Sequence, residues 1–254
     1  MTVHFIGAGP GAPDLLTLRA VERLGRCSVC LYAGSLIPTA VLEHLKPGAE
    51  AINTAGMALE DIITRMIEAT AAGDDVARLH SGDLALYSAL AEQLRRLAAA
   101  DIDYTLTPGV PAFSAAAAAL AQELTVPEVG QSLVITRTQG RASNMPAGET
   151  LETFAASGTT LAIHLSLQVV VEVVERLLPF YGAACPAAIV QRASWAEERV
   201  IRAPLGELDG AAETLAAKRN AIIFVGPVLG ATDFRESKLY DPTHRSRYRW
   251  ASED

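Results

Sequence analysis

Asp75-Val76-Ala77-Arg78-Leu79-His80-Ser81-Gly82-Asp83-Leu84-Ala85-Leu86-Tyr87 is the stretch from which the rest of this 254-residue chain can be read. Asp75 to Leu79 has the character of a short buried strand, and Ser88 to Ala99 that of a helix. His80 to Tyr87 then lies just beyond a strand's carboxyl end, where parallel α/β sheets bind ligands. Gly82 lets a backbone approach a ligand closely, and Asp83 adds a carboxylate beside it. Gly-Asp is also an ordinary strand-to-helix turn with Asp near an N-cap. The surrounding chain decides between the two.

Toward the N-terminus the pattern repeats. Leu59 to Ala72 is an amphipathic helix, with Ile62, Ile63, Met66 and Ile67 on one face. Ala49 to Asn53 and Ser28 to Tyr32 read as strands, with a short helix after Pro38. A helix is expected from about Asp14, its N-cap, to Gly25. Val3 to Ile6 is a first strand, followed by Gly7-Ala8-Gly9-Pro10-Gly11. Beyond the opening stretch lies a Tyr104 to Thr107 strand. This alternation predicts a doubly wound, mostly parallel sheet.

Pro108-Gly109-Val110-Pro111 punctuates the chain, and the domain junction is placed there. Strands are expected at Ser132–Thr136, Leu161–His164, Ala187–Gln191, Arg199–Ala203 and Ala221–Val225. Helices are expected at Val169–Phe180 and Leu205–Ala217. Two strands flanking Trp195-Ala196-Glu197 suggest an antiparallel pair, hence a mixed sheet. The fold class is α/β with two domains: a doubly wound N-terminal one over 1–112 and a mixed C-terminal one over 113–240. A tail occupies 241–254.

The formal charge is -8, with half of the residues hydrophobic and a fifth charged. That balance suits a globular protein with a sizeable core and argues against nucleic acid as a partner. It leaves room for an anionic small ligand held by local arginines. The three cysteines cannot all pair within one chain. No basic and apolar leader stands at the N-terminus, and the alanine-rich run Ala112 to Ala121 is too short to span a bilayer. A cytoplasmic protein with no membrane partner is expected.

Gly7-x-Gly9-x-x-Ala12 fits the dinucleotide fingerprint in form. Its confirming acid is missing, because the second strand ends Leu31-Tyr32-Ala33, and Pro10 removes an amide from the turn. Cys27-x-x-Cys30 lacks a second ligand pair, so two buried thiols are expected instead of a metal site. His80 and His164 stand at strand ends. Arg137 and Arg141, with Thr136 and Thr138, form a basic polar loop, and Arg192 precedes Ala193-Ser194-Trp195. Arginine forks suit carboxylates, although most surface arginines are simply solvated.

Gly7 to Gly11 with Leu15-Leu16-Thr17-Leu18, Ser81-Gly82-Asp83 with Tyr87, Pro108-Gly109-Val110, Leu161 to Ser166 and Gly226-Pro227 together resemble the cobalamin and sirohaem tetrapyrrole methyltransferases. Tyr32-Ala33-Gly34-Ser35-Leu36-Ile37 and Gln191-Arg192-Ala193-Ser194-Trp195 look like the branch that methylates C11 of a corrin precursor. One departure is Leu84, where the family usually has proline. The resemblance implies S-adenosylmethionine as methyl donor in a cleft between two α/β domains, and a homodimer. It implies cofactor contacts at Pro10, Ser81, Gly82, Asp83, Leu86, Pro111, Ala112, Leu165 and Ala193, with Asp83 holding the cofactor and not acting as a base. No metal and no particular catalytic side chain are expected, since a sulfonium is already activated and alignment is the protein's main task. Arg137, Arg141 and Arg192 are the candidates for the carboxylates of a tetrapyrrole substrate. The competing expectations are a sibling acting on another carbon or on a cobalt-containing substrate, a nicotinamide oxidoreductase, and a non-catalytic tetrapyrrole binder.

Overall fold

The computed structural model describes residues 1–139, 144–217 and 219–237. The chain divides into two compact units, one of Met1–Ala119 with Arg192–Arg199, the other of Leu120–Gln191 with Val200 onward. This division differs from one at residue 112 over residues 113–119 and 192–199.

The first unit holds five strands: β1 (Val3–Gly7), β2 (Val29–Tyr32), β3 (Glu50–Asn53), β4 (Val76–His80) and β5 (Tyr104–Thr107). They lie in the order β3-β2-β4-β1-β5, and every pairing is parallel. Between them run α1 (Leu18–Leu24), α2 (Leu59–Ala71) and α3 (Leu90–Ala99), and α4 (Ala112–Ala119) follows β5. Alternation along the strands sorts side chains to two faces. Val3, Phe5, Val29, Leu31 and Val76 pack with Ile62, Ile63 and Met66 of α2 and Leu97 of α3. Ile6, Cys30, Ala77 and Leu79 pack with Ala20 and Leu24 of α1. The chain steps from β1 away to β2 and β3, then returns to set β4 beside β1 and β5 on its other side. The carboxyl ends of β1 and β4 therefore flank the point where strand order reverses, which is where such sheets hold ligands.

The second unit holds β6 (Leu133–Arg137), β7 (Thr160–His164), β8 (Pro186–Gln191), β9 (Arg199–Pro204) and β10 (Ala221–Val225), with α5 (Leu151–Ala155), α6 (Val170–Tyr181) and α7 (Leu208–Ala212). The order is β6-β7-β10-β8-β9. β6 and β7 are parallel, and β10 runs antiparallel to β7 and β8, so the sheet is mixed as expected. Its core joins Leu161, Ile163, Ile189 and Ile223 to Val173 and Leu177 of α6 and Leu208 of α7.

Three helices differ from the sequence pattern. Asp14 is not the cap of α1: it sits in a single 3-10 turn, Pro13–Leu15, which ends at an extended Leu16. Thr17 is the cap, its hydroxyl accepting from Ala20 N–H at 3.1 Å. α3 starts at Leu90, because Tyr87 and Ala89 have positive φ and break the helical path. α7 spans only five residues instead of the whole of 205–217; Gly206 and Gly210 weaken that stretch as a helix. Cys27 and Cys30 are fully buried, and burial pushes both thiols up to about 12. Among the described residues no cluster of three His, Cys, Asp or Glu could hold a metal, and no helix is long and apolar enough to cross a membrane.

Candidate functional site

Three glycines make the carboxyl edge of the first sheet possible. β1 and β4 end in register, Gly7 beside His80. The two loops then continue together: Ala8 N–H donates to the His80 carbonyl at 2.7 Å, and Gly9 and Gly82 exchange N–H bonds at 3.1 and 2.7 Å. Gly9 and Gly82 take φ of +73° and +70°, a conformation that other residues adopt only under strain. The loop after β5 lies against this pair. A Cβ on Gly7 would stand 2.5 Å from Gly109 N and 2.9 Å from the Gly82 carbonyl oxygen. Backbone packs on backbone here, and the Gly82 side faces Ala112 N at the start of α4, 3.6 Å from where a Cβ would sit.

Asp83 locks two of these loops. One carboxylate oxygen accepts from Gly109 N–H at 2.9 Å, the other from Ala85 N–H at 2.8 Å. Leu84 is 7% exposed and packs into the α2/α3 face, so its side chain anchors the loop where a proline would have stiffened it. Ser88 Oγ donates to the Leu84 carbonyl at 2.5 Å. Ser81 and Leu86 are half-buried on the same loop. His80 is buried under it, beside the Phe5 ring at 5.9 Å and hydrogen-bonded to the Ser88 backbone, with Nε2 unpartnered.

The glycine turn after β1 is covered by residues far away in the chain. Trp195 Nε1 donates to the Pro10 carbonyl at 2.8 Å, and Ser194 Oγ accepts from Ala12 N–H at 3.0 Å. The Trp195 ring occupies the space that a Cβ on Gly11 would need. Arg192 lies over that ring, 5.4 Å from its centroid, and pairs with Glu197 at 3.4 Å. Arg192 and Ser194 both have positive φ, and Ser194 N–H is held by Glu198 at 2.7 Å. Ala193 between them is buried.

In the second unit, the ends of β6 and β7 are joined through Ser166, which is fully buried. Its hydroxyl accepts from Thr138 N–H at 2.9 Å and donates to the His164 carbonyl at 2.7 Å. Leu165 is 73% exposed with φ of 56°. Such a conformation is uncommon for a bulky residue and persists only where its neighbours over-determine it. Arg137 bonds the carbonyls of Thr138 and Asn144 and borders a hollow of about 150 Å³ that Arg176 also lines. Arg141 lies outside the described residues. Pro111 and Ala112 open α4, where the Pro111 carbonyl accepts from Ser114 N–H at 3.1 Å.

Residues 2–209 match the profile of the tetrapyrrole (corrin/porphyrin) methylases. The chain belongs to the tetrapyrrole methylase family. A Sinorhizobium relative named precorrin-4 C(11)-methyltransferase is 56% identical over 253 residues, covering 100% of both chains. A solved cobalt precorrin-4 methyltransferase superposes with a TM-score of 0.87 at 36% identity, over 90% of this chain and 95% of that one. A uroporphyrin-III C-methyl transferase from Thermus thermophilus, solved with S-adenyl homocysteine, superposes with a TM-score of 0.76 at 26% identity, over 91% and 99%.

In this tetrapyrrole methylase the expected residues Pro10, Ser81, Gly82, Asp83, Leu86, Pro111 and Ala112 all stand at the carboxyl edge of the first sheet or on the loops and helix start that follow it, and Leu165 follows β7 of the second. The contact of Trp195 with Gly11 and Pro10, and the buried pair Arg78 and Gln93, carry no signal in spacing or periodicity and emerge only from the fold. Burial, with the nearby Arg78 charge, lowers His80 to about 3. The ring is therefore neutral at physiological pH. The unfolded chain binds a proton on His80 near pH 6.5 and the folded one only near 3, so stability falls as pH drops through that window. The melting temperature of His80→Gln should fall less steeply between pH 6.5 and 4 than that of the wild type; parallel curves would assign the acid sensitivity elsewhere.

Proposed function

We propose that the protein transfers the methyl group of S-adenosylmethionine to C11 of precorrin-4, giving precorrin-5 in cobalamin synthesis, and works as a cytoplasmic homodimer. The observation that carries this is end-to-end identity of 56% with a relative of that name. The site supports it. Glycines let three backbone loops pack together at the carboxyl edge of the first sheet, where such sheets hold ligands, and a neutral His80 places no positive charge against a sulfonium.

When bound, the donor supplies an activated methyl group: its C–S bond breaks as the new C–C bond forms, releasing S-adenosylhomocysteine. The chain's own residues bind and orient. The loop of Ser81 to Leu86, fixed by Asp83, and the α4 start at Pro111 and Ala112 form one wall, with Pro10 held in place by Trp195. Ala193 and Leu165 complete the proposed contacts. Alignment of two reactants supplies up to roughly 7–11 kcal/mol, enough that no side-chain nucleophile is needed. Arg137, Arg141 and Arg192 are proposed to meet the substrate's carboxylates, giving an acidic chain the cations it needs locally. The absence of an acid at the end of β2, Leu31-Tyr32-Ala33, removes the ribose contact that a nicotinamide enzyme would use.

Calorimetry with S-adenosylhomocysteine and, separately, NADH tests the reading. Binding of the thioether nucleoside alone is expected, followed by transfer of labelled methyl to precorrin-4. Binding of NADH instead would overturn it. Alanine at Arg137 or Arg192 should raise KM for the tetrapyrrole and leave that for the methyl donor unchanged.

A further inference from the structure

Arg78 is a buried cation in the middle of the parallel sheet, 7% exposed. Among the described residues it bonds no carboxylate. Its Nε donates to Gln93 Oε1 at 3.1 Å, and Nη1 donates to Thr54 Oγ1 at 3.0 Å. Burial lowers its pKa to about 10, so it stays charged at neutral pH. Gln93 and Thr54 are themselves 3% and 5% exposed. A methionine would fill the same volume without a buried charge, so packing alone does not account for an arginine here.

The hydrogen bonds account for it. Arg78 has only donors, so Gln93 must turn its carbonyl oxygen toward it. That fixes the other end of the amide: Gln93 Nε2 donates to the Ala89 carbonyl at 2.9 Å. Ala89 is the cap of α3, left-handed at φ 50° and ψ 38°, with no side-chain cap of its own. Tyr87, two residues before, is also left-handed. Conformations of this kind persist only where neighbours over-determine them. On its other side, Arg78 holds Thr54, whose hydroxyl donates to the Tyr32 carbonyl at the end of β2 at 3.2 Å. One line of hydrogen bonds, buried at Thr54, Arg78 and Gln93, thus runs from Tyr32 to Ala89 at the far end of the Ser81–Ala89 loop. Asp83 fixes the near end of that loop and this line fixes the other.

We propose that Arg78 and Gln93 are positioning residues that hold the hinge at Ala89, and so set the shape of the loop that binds the methyl donor. This rests on the reading of that loop under the proposed function. Gln93→Glu separates positioning from folding. The carboxylate still accepts from Arg78, now as an ion pair, but no longer donates to Ala89. The variant should fold with a melting temperature close to the wild type's. Its Kd for S-adenosylhomocysteine should rise about tenfold, the scale of one lost hydrogen bond, and KM for the methyl donor should rise while that for the tetrapyrrole does not. Arg78→Lys, which keeps a donor toward Gln93, should bind within about threefold of wild type, whereas Arg78→Met should lose about as much as Gln93→Glu. A folded Gln93→Glu protein with wild-type Kd, or Arg78→Met binding as well as Arg78→Lys, overturns the proposal. Failure of the wild type to bind S-adenosylhomocysteine would instead remove the functional reading beneath it.

Discussion

Gly109→Ala is expected to abolish methyl transfer and to destabilise the fold by about 3 kcal/mol, the upper end for an overpacked site. The new methyl would fall onto the Gly82 carbonyl oxygen and within 2.8 Å of both carbonyl atoms of Gly7. These are backbone atoms, and a flexible side chain could swing aside where they cannot. Gly7 is the last residue of β1, paired with His80, and Gly82 is bonded twice to Gly9. Relief would have to move the loop of β5 away from the other two. The bond from Gly109 N–H to Asp83 would go with it, and so would the path of the chain into Pro111, Ala112 and α4. Gly56→Ala is the control. Gly56 has nothing within 4 Å of its Cβ position, and that change should stay within about 0.5 kcal/mol of wild type. Calorimetric unfolding and transfer of labelled methyl read both effects. A Gly109→Ala protein with unchanged melting and turnover would mean that the three loops do not need to touch.

Much of this arrangement was legible in the sequence because it is local. Strands β1 to β5 alternate with amphipathic helices at spacings set by one element at a time, so Val3, Phe5 and Val76 announce themselves by period. The Gly-Asp turn after β4 is legible for the same reason, as a turn at a strand's carboxyl end. What could not be read is what bonds across distance. Trp195 meets Pro10 across 185 residues, and no pattern in either segment contains the other. Nothing in the sequence around Arg78 shows that Thr54 and Gln93 stand beside it. The cap at Asp14 differs from the observed one because the 3-10 turn Pro13–Leu15 ends at an extended Leu16, which leaves Thr17 to open α1. α3 begins two residues later than the pattern predicts, because the positive φ of Tyr87 and Ala89 has no compositional signature. Leu84 looked like a loosened proline, yet it fixes the loop by burial. The family resemblance points to a methyl-transfer chemistry that periodicity cannot reach, while the backbone partners of Asp83 are visible only in the hydrogen bonds.

Those bonds make Asp83→Asn the second large effect. Both oxygens of Asp83 accept backbone N–H groups, from Ala85 and from Gly109. A carboxylate accepts on both sides, but an amide accepts on one and donates on the other. Whichever way the asparagine turns, one N–H faces another N–H. Losing a charged acceptor costs about 1.5–3 kcal/mol, and an unsatisfied donor adds to that. Either the 83–85 turn opens or the β5 loop lifts from Gly82. In both cases the proposed cofactor wall is displaced while the substrate arginines are untouched. The Kd for S-adenosylhomocysteine should therefore rise by about 10- to 100-fold, with KM for the tetrapyrrole nearly unchanged. Asp83→Glu should not restore binding, because an added methylene cannot reach both amides from the same backbone. A proton-transfer role makes the opposite forecast: Asp83→Asn would bind the nucleoside normally and fail to turn over. Binding and turnover measured on the same variant thus separate a carboxylate that shapes the loop from one that moves a proton. The geometry favours the first, since each oxygen already accepts a backbone N–H, from Ala85 and from Gly109.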